Sequence, residues 1–162
     1  MASSGYLTIV GQKQGAINGG VTQKAHENSI LVHAFDVQIT SPRDATSGLA
    51  TGKRQHQPIV ILKEIDKSSP LLWNALVNNE NLTTWVLKFF DVNPAGLSQQ
   101  IYSITLTNAN IASMDESMLD NEIAANATLP MREQITFTYQ KITWTWVDGG
   151  ITASDDWSSP VT

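Results

Sequence analysis

Residues 58–79 read PIVILKEIDKSSPLLWNALVNN, and within them the hydrophobic period changes from that of a strand to that of a helix. Ile59, Val60, Ile61 and Leu62 form a mainly β-branched run that fits a strand buried on one or both faces. Past Ser68 the pattern turns helical. Ser69 is placed to accept orphan backbone N–H groups of a first turn, and Pro70 suits the next position, where its fixed φ fits and its missing N–H is not needed. Leu71, Leu72, Ala75 and Leu76 then share one side of a helix of about three turns over residues 69–79. A helix this short does not stand alone in water, so its leucine face must lie on a larger body. Burying each leucine stabilises by about 1.5–3 kcal/mol. The helix is expected to act as a clip, with Ser69, Pro70, Leu71, Leu72 and Leu76 as its structural residues.

The body it clips is made of strands. On the N-terminal side, Tyr6, Leu7, Ile9 and Val10 form a first strand, and Asn18-Gly19-Gly20 gives a turn signal. Residues 28–40 alternate as one long strand, with Leu31, His33, Phe35, Val37 and Ile39 on one face. Residues 41–57, SPRDATSGLATGKRQHQ, are a polar loop with two glycines. On the C-terminal side, residues 83–92 place Trp85, Leu87 and Phe89 on one face, Asn93-Pro94-Ala95-Gly96 turns the chain, and residues 100–111 return with Tyr102, Ile104 and Leu106 together. Residues 114–130 are acidic and weakly periodic, expected as a loop or short irregular helix. From Gln134, Ile135, Phe137 and Tyr139 share a face, but the apolar set then moves to Ile142, Trp144 and Trp146. That parity change predicts a bulge or a passage between sheets near Gln140-Lys141. Asp148-Gly149-Gly150 turns the chain, and residues 151–157 add a terminal piece before a polar tail. Five or six strands without strand–helix alternation give an all-β, antiparallel barrel or sandwich with one flanking helix.

The 162 residues fit one domain, 1–162, and the 41% apolar and 15% charged content is that of a globular chain. A net charge of -5 argues against general binding to nucleic acid or anionic membrane, which needs a positive surface. Cysteine is absent, which rules out disulfides and thiolate metal sites. The opening MASSGYLTIVGQKQG has no basic segment and no apolar core of signal-peptide length, and no run nears the roughly 18 apolar residues of a membrane span. Export would need a route that reads no cleaved signal.

Catalytic constellations are missing from the sequence. His26, His33 and His56 lack zincin spacing, and neither GxSxG nor a phosphate loop occurs, so no catalytic residue, metal or cofactor is expected. Asp155 and Asp156 would point apart on a strand and read as solvated. Calcium at Asp148, Asp155 and Asp156 would lack the EF-hand spacing. Trp144, Trp146 and Trp157 could form a sugar platform in a monomeric carbohydrate-binding module, although tryptophans on strands more often face a core or an interface. Residues 41–57 hold Arg43, Lys53 and Arg54, three of the ten basic residues. Their composition fits a solvated hairpin or an interaction loop. Acidic residues gather in 114–122 and 148–156; were these at the opposite end of the body, one copy's basic end would meet the next copy's acidic end.

Taken in order, GAINGGVTQKAHENSI, SPRDATSGLATGKRQHQP, KEIDKSSPLLWNAL and ITFTYQKITWTWVDGGITASDDW resemble the Hcp (hemolysin-coregulated protein) family of the bacterial type VI secretion system, over residues 5–157. The resemblance implies a compact barrel of two antiparallel sheets with a flanking helix. It also implies a homo-hexameric ring and rings stacked into an inner tube within a contractile sheath. That tube is held in the cytoplasm before firing, is expelled beneath a spike protein, and can carry effectors in its lumen; no catalysis belongs to the short form. Residues 41–57 are similar to the family's projecting loop, which implies ring-to-ring contact through Arg43, Asp44, Lys53, Arg54 and His56. Residues 63–70 match its most recognisable motif, read as structural. The chain ends at Thr162 with no appended toxin domain expected.

Overall fold

A computed structural model describes residues 3–158. Its strands are β1 (Ser4–Gly11), β2 (Gly15–Ile17), β3 (Ile30–Val32), β4 (Ala34–Asp36), β5 (Ile39–Thr40), β6 (Gln55–His56) and β7 (Ile59–Glu64), then β8 (Leu82–Val92), β9 (Ser98–Thr107), β10 (Asn110–Ser117), β11 (Arg132–Thr138), β12 (Lys141–Trp146) and β13 (Ile151–Asp156). The helix α1 (Ser69–Val77) lies between β7 and β8. The expected mainly β, antiparallel class is observed. The strand count exceeds the five or six expected because single runs in the sequence are divided between sheets and because β2, β6 and most of β10 form in segments read as turn or loop.

One sheet runs β13-β12-β9-β8-β1-β2, with β3 also paired to β1; a second runs β10-β11-β7-β4; β5 and β6 form a separate ribbon. The two large sheets share a core in which Trp85 on β8 meets Phe137 on β11 edge-on at 5.4 Å. Ile59 and Ile61 from β7, Leu7 and Ile9 from β1, Leu87 from β8 and Ile104 and Leu106 from β9 complete its centre. Each follows the period-two pattern of its strand.

The residues 28–40, read as one strand, are three. Ile30 and Val32 are buried beside β1, whereas β4 pairs with β7 in the other sheet, and the His33 N–H donates to the Leu62 carbonyl at 2.8 Å where the chain changes sheet. The apolar residues on both faces of this segment reflect that change of layer. A corresponding change explains the parity break near Gln140: β11 lies in the four-stranded sheet and β12 in the larger one. The Asn18-Gly19-Gly20 signal is not the first hairpin turn, which forms at residues 12–14 with Gly15 at φ 74. Gly19 is required by close approach instead, since a Cβ there would collide with the Ser29 carbonyl oxygen. The acidic run also differs from expectation: residues 110–117 continue as β10 against β11, and only the part beyond is loop and a short 3-10 turn, Ala124–Asn126. The polar tail expected past Trp157 extends beyond the described residues.

Helix α1 stops at Val77 and begins after Ser68, so Ser69 is not its cap. Asp66 Oδ1 accepts the Ser68 N–H at 2.9 Å, while Ser69 Oγ accepts the Asp66 N–H at 3.1 Å and donates to Glu133 Oε1 at 2.7 Å. Pro70 lies in the first turn, as expected. Leu72 and Ala75 are buried and Leu76 packs at the core's edge, but Leu71 is exposed, because residues 72, 75 and 76 form a narrower stripe that turns Leu71 outward. The alternation that buries Ile59 and Ile61 also buries Lys63. Its Nζ pairs with Glu133 on β11 and donates to the Glu64 carbonyl at 2.9 Å and to Asp66 Oδ1 at 3.1 Å. The KEIDKSSP segment thus forms a polar clasp joining β7, α1 and β11.

Candidate assembly interface

Residues 41–54 leave the body as a narrow ribbon continuing β5 and β6. Ile39 pairs with His56, Thr40 with Gln55, and Arg43 bridges to Ala50. At the tip the Asp44 N–H donates to the Leu49 carbonyl at 2.8 Å, and Gly48, at φ 73, takes the left-handed turn that glycine tolerates. Asp44 Oδ1 accepts the N–H groups of Ser47 and Thr46, each at 2.8 Å, the self-bonding turn for which aspartate is suited. Those backbone donors hold its carboxyl below the usual carboxylate value. Asp44 therefore folds the tip. Arg43 and Lys53 are exposed on the ribbon, and among the described residues neither side chain has an ion-pair partner.

Arg54 and His56 have a different position. Arg54 Nε donates to Asp155 Oδ2 at 2.5 Å, and its Nη2 donates to the Asp156 carbonyl at 2.9 Å. His56 Nε2 lies 2.7 Å from the same Asp155 oxygen, and its Nδ1 lies 2.7 Å from the Tyr139 hydroxyl. A carboxylate only accepts, so Nε2–H donates to Asp155, while Nδ1 forms the hydrogen bond with the Tyr139 hydroxyl. The hydrogen bond from Arg54, followed by that from His56, holds the Asp155 carboxyl below its ordinary value. Burial, aided by the Asp155 charge, pushes Tyr139 up to about 12. These four residues fasten the ribbon's base to β13 and to the end of β11.

The five loop residues singled out in the sequence thus divide into three roles. Arg43 and Lys53 face solvent on the ribbon, Asp44 shapes its tip, and Arg54 and His56 grip its root. The expectation that Asp155 and Asp156 are solvated is corrected, and the condition that residues 148–156 lie opposite the basic loop is not met: the basic and acidic segments meet within one chain. Sequence reasoning missed Tyr139 and Asp155 as partners of His56 because they lie 83 and 99 positions away, and no local spacing signals such a contact.

The remaining candidates do not converge. His26 stacks on Tyr6 at 4.1 Å, and His33 Nε2 pairs with Glu64 Oε1 at 3.2 Å. Trp144 packs on the core, and the Trp157 indole N–H donates to the Tyr139 carbonyl. Trp146 sits beside Tyr102 at the far end of β12 from Trp157, about 20 Å along a six-residue strand. The three tryptophans form no shared platform for a sugar.

With this geometry established, the comparisons with known proteins agree with one another. The model of the family described as type VI secretion system effector, Hcp, matches residues 6–146. The chain is 38% identical to the Major exported protein of Pseudomonas aeruginosa strain PAO1 over 170 aligned positions, covering 99% of each. It superposes on the solved Hcp1 protein of the Escherichia coli EAEC 042 pathovar, a mutant form, with a TM-score of 0.85 and 31% identity over 96% of this chain and 99% of that one. On Hcp3 of Pseudomonas aeruginosa the TM-score is 0.79 with 32% identity over 98% and 100% of the two chains.

Proposed function

Because the chain belongs to the Hcp family of the type VI secretion system, we propose that it works there as the subunit of the inner tube, closing into hexameric rings that stack by way of residues 41–54. It is a structural component whose work is assembly and carriage, and it performs no catalysis. Spike, sheath and effector proteins of the same system are its partners: the tube stands in the cytoplasm until firing and then leaves the cell without a cleaved signal, with effectors held in the lumen.

The observation that carries this reading is the ribbon. A folded hairpin with a self-bonded tip, an anchored root and, among the described residues, no ion-pair partner for Arg43 or Lys53 is suited to touching something outside its own subunit. Light scattering on the purified chain should give the mass of a hexamer, and electron microscopy should show rings and stacks. A monomer across a wide concentration range overturns the reading. Reversing Arg43 and Lys53 to Glu should leave rings intact and reduce stacking about tenfold, whereas stacks as abundant as in the wild type would remove the ribbon from the contact. Reversing Arg54 should also lower thermal stability, because it replaces one of Asp155's two partners with a like charge.

A further inference from the structure

Strand β7 carries the ribbon at one end and an acidic hollow at the other. Its first residue, Ile59, follows the ribbon's second strand almost directly, while its last, Glu64, opens onto a cavity of about 350 Å³ whose lining includes Tyr6, Gln23, Leu31, His33, Glu64 and Asp66. Six strand residues separate the two ends by about 20 Å. The Glu64 side chain is 49% exposed, with Oε1 on His33. Among the described residues Asp66 Oδ2 accepts only the Gly20 N–H, at 3.1 Å, while its Oδ1 is taken up by Lys63 and Ser68. Lys63 is paired with the buried Glu133 and adds no net charge to the hollow. The β10–β11 connection, with exposed Asp120 and Glu122, closes at the same end, because Ser117 pairs with Arg132 and Arg132 with Glu64. Arg132 is the register partner of Glu64, and the cavity's own lining carries two carboxylates and no lysine or arginine.

We propose that this hollow is the socket for the ribbon of a second copy of the chain, with Arg43 or Lys53 of the incoming copy meeting Glu64 and its aliphatic stem lying on Leu31 and Tyr6. This rests on the tube reading and adds to it the acceptor site. Three features select this occupant. Among the described residues Arg43 and Lys53 have no ion-pair partner, the hollow has carboxylate oxygens to spare, and the two stand at opposite ends of one strand. A contact between two different surfaces of identical chains repeats without closing on itself, which is the symmetry of a stack. A hairpin of 14 residues, 41–54, reaches about 20 Å past its base, enough to enter a neighbour. Long cationic side chains readily bury their methylenes along apolar surface while the charged head finds an acceptor.

The test is a charge swap on the full chain. Glu64→Lys should leave rings intact by light scattering and lower the mass of stacked tubes at fixed concentration about tenfold, with Glu64→Gln between it and the wild type. Combining Glu64→Lys with Arg43→Glu and Lys53→Glu should restore stacking to within about threefold of the wild type. Raising the salt concentration should weaken wild-type stacks, because contacts of this kind are screened. Glu64→Lys rings that stack like the wild type overturn the socket and leave the tube reading standing. The socket is equally overturned by a swap that restores nothing, by stacking indifferent to salt, or by wild-type rings that never stack. A chain that never forms rings overturns both.

Discussion

Lys63 is the residue whose chemistry departs most from its surroundings. It is fully buried on a strand whose other inward residues are isoleucines, and it is held by Glu133, itself fully buried. Burial pushes the Glu133 carboxyl up, the hydrogen bonds from Lys63 and Ser69 oppose that, and Glu116 alongside adds to the rise. Removing one member of such a pair strands the other, at about 3–5 kcal/mol. Lys63→Met should therefore lower the urea midpoint sharply, and Lys63→Met with Glu133→Leu should recover most of the loss. Equal midpoints for the single and double variants would show that the clasp acts through Asp66 and Ser69 instead. Asp155 governs a separate, pH-dependent link. Its folded value lies below the ordinary 3.8, so the stability it contributes is complete above that pH and is lost as acid takes the pH down through the folded value. Asp155→Asn should flatten the acid limb of a melting-temperature profile below about pH 4, and coincident limbs would place the acid sensitivity elsewhere. Tyr139 has the opposite sense. With a folded value near 12 against 10 in the unfolded chain, it costs stability as the pH rises between those two values.

At the scale of elements, helix α1 shows what periodicity determines and what it leaves open. The sequence locates the helix within two residues at its C-terminal end, because the apolar stripe and Pro70 are local features. It misjudges Ser69 because its Oγ donates to the buried Glu133, 64 residues away, and accepts from the Asp66 N–H rather than from the first turn of the helix. The stripe is also narrower than three leucines. Leu72→Ala should cost about 2–5 kcal/mol, as a cavity at a fully buried site does. Leu71→Ala should cost no more than about 0.5 kcal/mol, the scale of surface changes. Denaturant titration of both variants decides the matter, and equal losses would contradict the orientation of the helix. Among the strands, alternation succeeds where one strand stays in one layer, as in β8 and β9, and fails over residues 28–40, where both parities are apolar because both layers are used in turn. The parity break at Gln140 was legible because the switch happens once, between two long runs. The acidic residues 114–117 concealed a strand because β10 has few buried positions, and its charged residues face water.

For the whole molecule, the all-β class, the single α-helix and the family were present in the sequence, carried by four segments taken in their order along the chain. The candidate interface was legible as a loop and as a charge, but its internal division was not. Which cations point away and which are spent on Asp155 depends on β13 returning past the ribbon's root, a contact between residues about a hundred positions apart. The chain passes between the two large sheets four times, from β3 to β4, from β7 through α1 to β8, from β9 to β10 and from β11 to β12. Each layer is therefore stitched to the other at several places along its length. A thrust delivered to the body has no cleavage plane along which the layers could slide apart without drawing a strand out of its neighbours. In mechanical terms the subunit behaves as a laminate sewn through its thickness, suited to bearing compressive load as one piece.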